Sequence, residues 1–140
     1  MATTPQPEWR SKCPLNVALE ILGDRWTLLI LRDLMIKGLS TFKEFQESDE
    51  GIATNILADR LKTLREHGII SGARSETDAR VISYRPTTKG LDLLPVLIEM
   101  IIWAAEYEET AAPAIIMRRL IHEREGFIRE IRQRFEGGTK

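Results

Sequence analysis

The run from residue 42 to residue 85 constrains this chain more than any other stretch. Phe42 and Phe45, three apart, share one face of a short helix expected over 42–47. Ser48, Asp49, Glu50 and Gly51 follow as turn chemistry, with Gly51 able to take a positive φ. Residues 54–67 then carry an amphipathic pattern. Ile56, Leu57, Leu61 and Leu64 fall on one helical face, with Asn55, Ala58, Asp59, Lys62 and Glu66 opposite. Gly68 stops that helix in the usual C-terminal manner. Residues 69–75 and 80–85 are strand-like, and Glu76, Thr77, Asp78 and Ala79 form a polar tip between them. Helix, turn, helix and hairpin in this order predict a winged helix, which sets its second helix into a DNA groove and its hairpin beside it.

The rest of the chain sets the bounds. A length of 140 residues predicts one domain, and 43% hydrophobic residues suffice for a core. The most apolar region, 91–105, is broken by Asp92, Pro95 and Glu99, which argues against a membrane span. Pro5, Pro7, Glu8 and Arg10 interrupt any leader-like run at the N-terminus. A single cysteine excludes an internal disulfide and fits a reducing cytoplasm. The net charge of −1 argues against a nonspecific polycation. Its distribution is more telling, because 54–89 holds seven basic residues against four acidic, and the chain from residue 91 onward holds seven against nine. A locally basic segment on a near-neutral protein suits DNA binding.

Outside this run the pattern is helical. Residues 1–12 read as an N-terminal arm and 137–140 as a frayed tail. Residues 14–22 form a first helix, with Cys13 at its cap and Pro14 at the favoured first position. Residues 24–36 form a second, carrying Trp26, Leu29, Ile30 and Leu34. Thr88 is placed to cap a long helix over 89–108, bent near Pro95. Leu91, Leu94, Val96, Leu97, Ile98, Ile101, Ile102 and Trp103 make that helix apolar on nearly every side. A partner chain is a natural way to bury it. A last amphipathic helix is expected over 114–135, with Leu120, Ile121, Phe127, Ile128, Ile131 and Phe135 as its stripe.

Several residues carry candidate chemistry. Thr54, Asn55 and Ala58 lie at the solvent side of the second helix of the pair, where base edges are met; asparagine can pair bidentately with adenine. Thr54 has the alternative role of capping that helix. Arg60 falls between Ile56 and Leu64, toward the inside, where it can pair with a carboxylate or reach a phosphate. Lys62 and Arg65 suit phosphates, or are simply solvated. Arg80 at the hairpin tip can enter a narrow minor groove with Asp78 orienting it, or the two form a weak surface pair; Arg74 and Arg85 are weaker candidates. Cys13, at the positive end of a helix dipole with Arg10 and Lys12 nearby, is a candidate redox sensor or an inert packing residue. His67 and His122 stand apart from any metal-ligand spacing, and no nucleophile or phosphate loop is recognisable. No metal, cofactor or enzymatic activity is therefore expected.

The chain resembles the HxlR family of winged helix-turn-helix transcription regulators, relatives of the MarR group. The likeness rests on Cys13-Pro14, on the run from Leu22-Gly23-Asp24-Arg25-Trp26-Thr27 to Asp33-Leu34, and on Phe42-Lys43-Glu44-Phe45. The run from Gly51-Ile52-Ala53-Thr54-Asn55 to Asp59-Arg60-Leu61, Tyr84-Arg85-Pro86-Thr87-Thr88-Lys89-Gly90 and Leu93-Leu94-Pro95-Val96-Leu97 complete it. Two positions depart: Ala53 stands where a capping Ser or Thr is usual, and Pro86 where an apolar residue is commoner. The resemblance implies a mostly α fold with a small β-hairpin wing, and a homodimer on a two-fold symmetric operator in double-stranded DNA. The resemblance covers residues 13–108, so the chain is expected to divide into an arm (1–12), a winged-helix domain with a dimerisation helix (13–109) and, outside the family pattern, a C-terminal helix (110–140) expected to add to the dimer contact. It also implies oxidant or electrophile sensing at Cys13 as one mode of control. Control by a small molecule at an interface pocket, and a winged-helix protein-interaction module without DNA binding, remain as alternatives.

Overall fold

Asp24 decides where the second helix begins. The computed structural model describes residues 8–136, and in it Asp24 Oδ2 accepts the amides of Trp26 at 2.9 Å and Thr27 at 3.1 Å. Asp24 therefore satisfies amides that the first turn of a helix leaves without partners, and helix α2 runs Thr27–Met35, three residues later than its apolar pattern predicts. Helix α1 (Pro14–Leu22) precedes it, with Cys13 at its N-cap and Pro14 in its first turn. The expected arm lies outside the described residues up to residue 7, and the expected tail, 137–140, lies outside them altogether.

Helix α3 (Phe42–Gln46) starts at a reciprocal capping box. Glu44 N donates to Thr41 Oγ1, and Glu44 Oε1 accepts from Thr41 N. Gly51 closes the following turn at φ 70°, a conformation that glycine adopts without Cβ strain. Helix α4 (Thr54–Glu66) follows, with Leu57, Leu61 and Leu64 buried as its periodicity predicts. Thr54 does not cap it. The N-cap is Ala53, which has no side-chain bond, and Thr54 Oγ1 instead accepts from Gln46 Nε2 at 2.7 Å, joining α3 to α4.

The hairpin comprises β1 (Ile70–Arg74) and β2 (Ile82–Pro86), antiparallel, with Gly72 opposite Tyr84. The second strand begins two residues later than expected, because Arg80 N donates to Asp78 Oδ1 and holds residues 78–80 in the turn. Pro86, buried at the end of β2 opposite Ile70, supplies the apolar surface needed there.

The long helix expected over 89–108 is two helices, α5 (Thr88–Leu91) and α6 (Leu94–Tyr107). The break falls at Asp92 and Leu93, and Pro95 sits in the first turn of α6, where a missing amide costs nothing. The cap of α5 is Thr87 rather than Thr88; Thr87 Oγ1 accepts Gly90 N at 3.2 Å. A Cβ on Gly90 would stand 2.2 Å from Ile69 O, so only glycine lets α5 approach the start of β1 this closely. The expected final helix is likewise broken, at Glu123, into α7 (Ala114–His122) and α8 (Arg124–Glu136). Arg119 fixes the corner through Glu130 at 2.6 Å and by lying over the Phe127 ring.

One core joins these elements. Leu31, Leu34 and Met35 of α2 meet Leu57 and Leu64 of α4, Leu94 and Ile98 of α6, and Leu120 and Ile131 of the C-terminal pair. Helix α6 is not buried on every side within the chain. Leu97 and Ile98 face inward, whereas Val96, Met100, Trp103 and Tyr107 face out. Leu15 and Leu19 of α1 are also exposed, as is Ile121, which the expected stripe placed inside. No described helix is long and apolar enough to cross a membrane.

Candidate nucleic-acid interface

Burial of Leu57, Leu61 and Leu64 turns the opposite face of α4 to solvent. Thr54, Asn55, Ala58, Lys62 and Arg65 are all exposed there, running from the first turn of the helix to its last. Small and polar groups come first and cations later, an order suited to base edges at the N-terminal end and phosphates along the flank. Lys62 Nζ lies 3.3 Å from Glu66, an exposed pair that water and salt readily loosen. Ala58, Lys62 and Arg65 share a concavity of about 480 Å³ with Phe42 and Tyr84.

Arg60 is placed differently. It is half-buried, and its Nε donates to Asp24 Oδ2 at 2.8 Å while Nη1 pairs with Asp59. Asp24 thus caps α2 and holds the middle of α4 through the same carboxylate. Burial opposes its ionisation. Hydrogen bonds from the Thr27 hydroxyl, from Arg60 and from the Trp26 and Thr27 amides outweigh that and hold its pKa down at about 2. Of the two readings that the inward pattern at position 60 allows, a carboxylate pair and a phosphate contact, the carboxylate pair is the one present, and its partner lies 36 residues away.

At the hairpin tip Arg80 donates to Asp78 three times: Nε to Oδ1 at 3.0 Å, Nη2 to Oδ2 at 3.1 Å and the amide to Oδ1 at 3.0 Å. The Arg80 side chain is nonetheless 90% exposed, so the pair aims the guanidinium without covering it. The Arg80 hydrogen bonds lower the Asp78 pKa, and the Asp78 side chain raises that of Arg80. Arg74 is turned back onto the hairpin, donating to Ala79 O at 2.6 Å. Arg85 points away from the tip, to Phe135 O at the end of α8.

Two residues of this surface were not singled out from sequence. Lys43, in the first turn of α3, lines a concavity with Arg80 and Tyr84. Gln46 is exposed and hydrogen-bonded to Thr54. The Thr41 and Glu44 spacing of a capping box was the available signal, since it places Lys43 at the open start of a helix.

Cys13 is exposed at the N-cap of α1. The backbone amides of Asn16 and then Leu15 lower its thiol pKa, against a small opposing effect of burial. The Arg10 guanidinium goes to Asn16 Oδ1 at 2.7 Å.

A helix pair with an exposed second helix, and a hairpin with a cation at its tip, form a winged helix-turn-helix. The HxlR-like helix-turn-helix family matches this chain over residues 21–112. The chain belongs to that family. Among its relatives, the HTH-type transcriptional regulator YodB of Bacillus subtilis is 39% identical over 99 residues, covering 69% of this chain and 87% of YodB. An uncharacterised HTH-type regulator of Mycobacterium tuberculosis, Rv3095, is 36% identical over 90 residues; the match takes in 64% of this chain and only 56% of that relative. Reduced YodB superimposes with a TM-score of 0.57 at 33% identity, covering 69% of this chain and 95% of YodB. PA1607, a crystal structure described as a transcription factor candidate, gives 0.66 at 37% identity, covering 75% of this chain and 72% of that one.

Proposed function

We propose that this HxlR-like chain is a cytoplasmic, homodimeric, non-enzymatic regulator that binds double-stranded DNA at a two-fold symmetric operator. Helix α4 enters the major groove, with Thr54, Asn55 and Ala58 at base edges and Lys62 and Arg65 on phosphates. Arg80, aimed by Asp78, meets the minor groove or the backbone beside it. Arg60 supports α4 from behind through Asp24. The observation carrying this reading is that α4 exposes these side chains to solvent, as the hairpin exposes its tip cation Arg80.

The dimer rests on the outward stripe of α6. Val96, Met100, Trp103 and Tyr107 are 42%, 52%, 65% and 68% exposed, far more than apolar side chains of this size favour in water. Leu15 and Leu19 of α1 and Ile115 of α7 are exposed as well and would complete the contact. Residues 13–109 then act as the winged-helix unit with its dimerisation helix, and 110–140 supplement the contact. Two recognition helices in such a dimer stand about 34–36 Å apart, one turn of duplex.

Selection of bound duplexes from a random library tests the reading. A symmetric motif with one-turn half-site spacing is expected. On that motif Asn55→Ala loses roughly 1–3 kcal/mol, with little loss on random DNA. Equal loss on both sequences removes Asn55 as a reader, and absence of any enriched motif sinks the sequence-specific function.

Control through Cys13 is a second reading, favoured by its exposure and lowered pKa. YodB, the 39% identical relative, is known in reduced, diamide-treated and quinone-bound structures. A modified thiol at the start of α1 would shift the dimer helices and hence the spacing of the two α4 helices.

A further inference from the structure

The C-terminal helices, beyond residue 112 where the family match ends, close one side of a cavity whose other walls come from residues within the match. The cavity measures about 730 Å³ and lies between α2, α6 and the α7–α8 pair. Ile36, Ile101, Ile116, Met117, Leu120 and Phe127 supply apolar walls. Its volume falls within the range that receives small organic ligands, roughly 300–1,000 Å³. Four charged residues stand on the lining, Arg32 and Lys37 against Asp49 and Glu50. Two positive and two negative groups leave no net charge to draw in an ion. Arg32 is already bound to Asp33 and Glu50, so it offers little to an anionic ligand.

The position of those acids is the informative part. Asp49 and Glu50 belong to the turn between α3 and α4, and Arg32 Nη1 binds Glu50 Oε2 at 2.9 Å. The wall of the cavity is therefore tied directly to the turn that presents the recognition helix. We propose that this cavity is a binding site for an uncharged, predominantly apolar organic molecule, and that occupancy changes DNA binding through the turn at residues 48–51. The regulatory consequence rests on the DNA-binding function proposed above; the site does not.

The neutral fluorophore N-phenylnaphthylamine serves as probe, titrated into the full-length protein. The wild type is expected to bind one equivalent per chain with enhanced, blue-shifted emission. Ala112→Phe and Ile116→Trp each fill the cavity and are expected to weaken the probe at least tenfold, with folding verified by thermal melts. Hydrogen exchange across residues 48–51 slows at least threefold when the probe is bound.

A folded wild type that takes up no probe overturns the site, and shows the space to be closed or filled by a second copy of the chain. Unchanged affinity in both filled variants places the probe outside the cavity and also overturns it. Probe binding without change in exchange at the turn overturns the coupling. With a selected duplex, the probe is expected to shift the Kd at least threefold. A chain that binds probe and slows exchange but binds no duplex keeps the site and refutes the regulator function alone.

Discussion

Replacing Asp24 separates two tasks that one carboxylate performs at once. The amide side chain of an Asp24→Asn variant retains an oxygen that accepts the Trp26 and Thr27 amides, so α2 keeps its cap, but the charge facing Arg60 is gone. Asp24→Ala removes both. Loss of a cap costs about 1 kcal/mol. The bond to Arg60 is charge-assisted at 2.8 Å, and the two side chains, Arg60 and Asp24, are 30% and 26% exposed. That exposure lets solvent screen the pair, which brings its contribution down to about 1 kcal/mol. The expected losses at neutral pH are thus about 1 kcal/mol for Asp24→Asn and about 2–3 kcal/mol for Asp24→Ala, the latter including an Arg60 left half-buried without its main partner. In a chain of 140 residues the larger loss lowers the Tm by on the order of 10 °C.

Urea unfolding at fixed protein concentration measures both losses, since a dimer makes apparent stability concentration-dependent. The pH dependence adds a second check. The folded-state pKa of about 2 lies below the ordinary carboxylate value of about 3.9, so ionised Asp24 stabilises the native state fully above about pH 4. The advantage of the wild type over Asp24→Asn should therefore shrink as pH falls from about 4 through about 2. Stabilities of both variants within about 0.3 kcal/mol of wild type would refute the two roles. If Asp24→Ala is no worse than Asp24→Asn, the cap contributes nothing.

Arg80→Ala should weaken binding to every duplex and reduce the salt slope by about one, because a phosphate contact that released a counterion has been lost; unchanged slope and affinity would remove the wing from the interface. Trp103→Glu places a charge in the α6 stripe and should shift a micromolar sample from dimer to monomer in sedimentation, with the fold retained by circular dichroism. A dimer as stable as wild type would show that this face is not the contact. If Cys13 controls binding, mild oxidant or a quinone alters the DNA affinity of the wild type and leaves Cys13→Ser unaffected; an equal response in both would assign Cys13 to packing.

The sequence discloses most where a residue's role depends on its near neighbours. The periodicity of Leu57, Leu61 and Leu64 places the face of α4 correctly, and with it the exposure of Thr54, Asn55, Ala58, Lys62 and Arg65. The wing is legible for the same reason, since a polar tip between two short strand-like runs is a local pattern. What stayed hidden depends on partners far along the chain. The largely apolar run across residues 91–103, interrupted by Asp92, Pro95 and Glu99, does not reveal that Gly90 packs against Ile69, nor that Leu94 and Ile98 face the chain's own core while Trp103 faces out. The break at Glu123 is of the same kind, since the corner is held by Arg119 reaching Glu130 and Phe127 on the next helix. Arg60 falls between the two cases. Helical phase alone turns it inward, where a carboxylate or a phosphate can meet the guanidinium. Adding Asp24 to its chain neighbour Asp59 requires the fold, which brings a carboxylate from 36 residues away within 2.8 Å of Arg60 Nε. The Leu22-Gly23-Asp24-Arg25-Trp26-Thr27 segment thereby acquires a physical reason for its acidic residue: the carboxylate that accepts the first amides of α2 also holds Arg60 of α4.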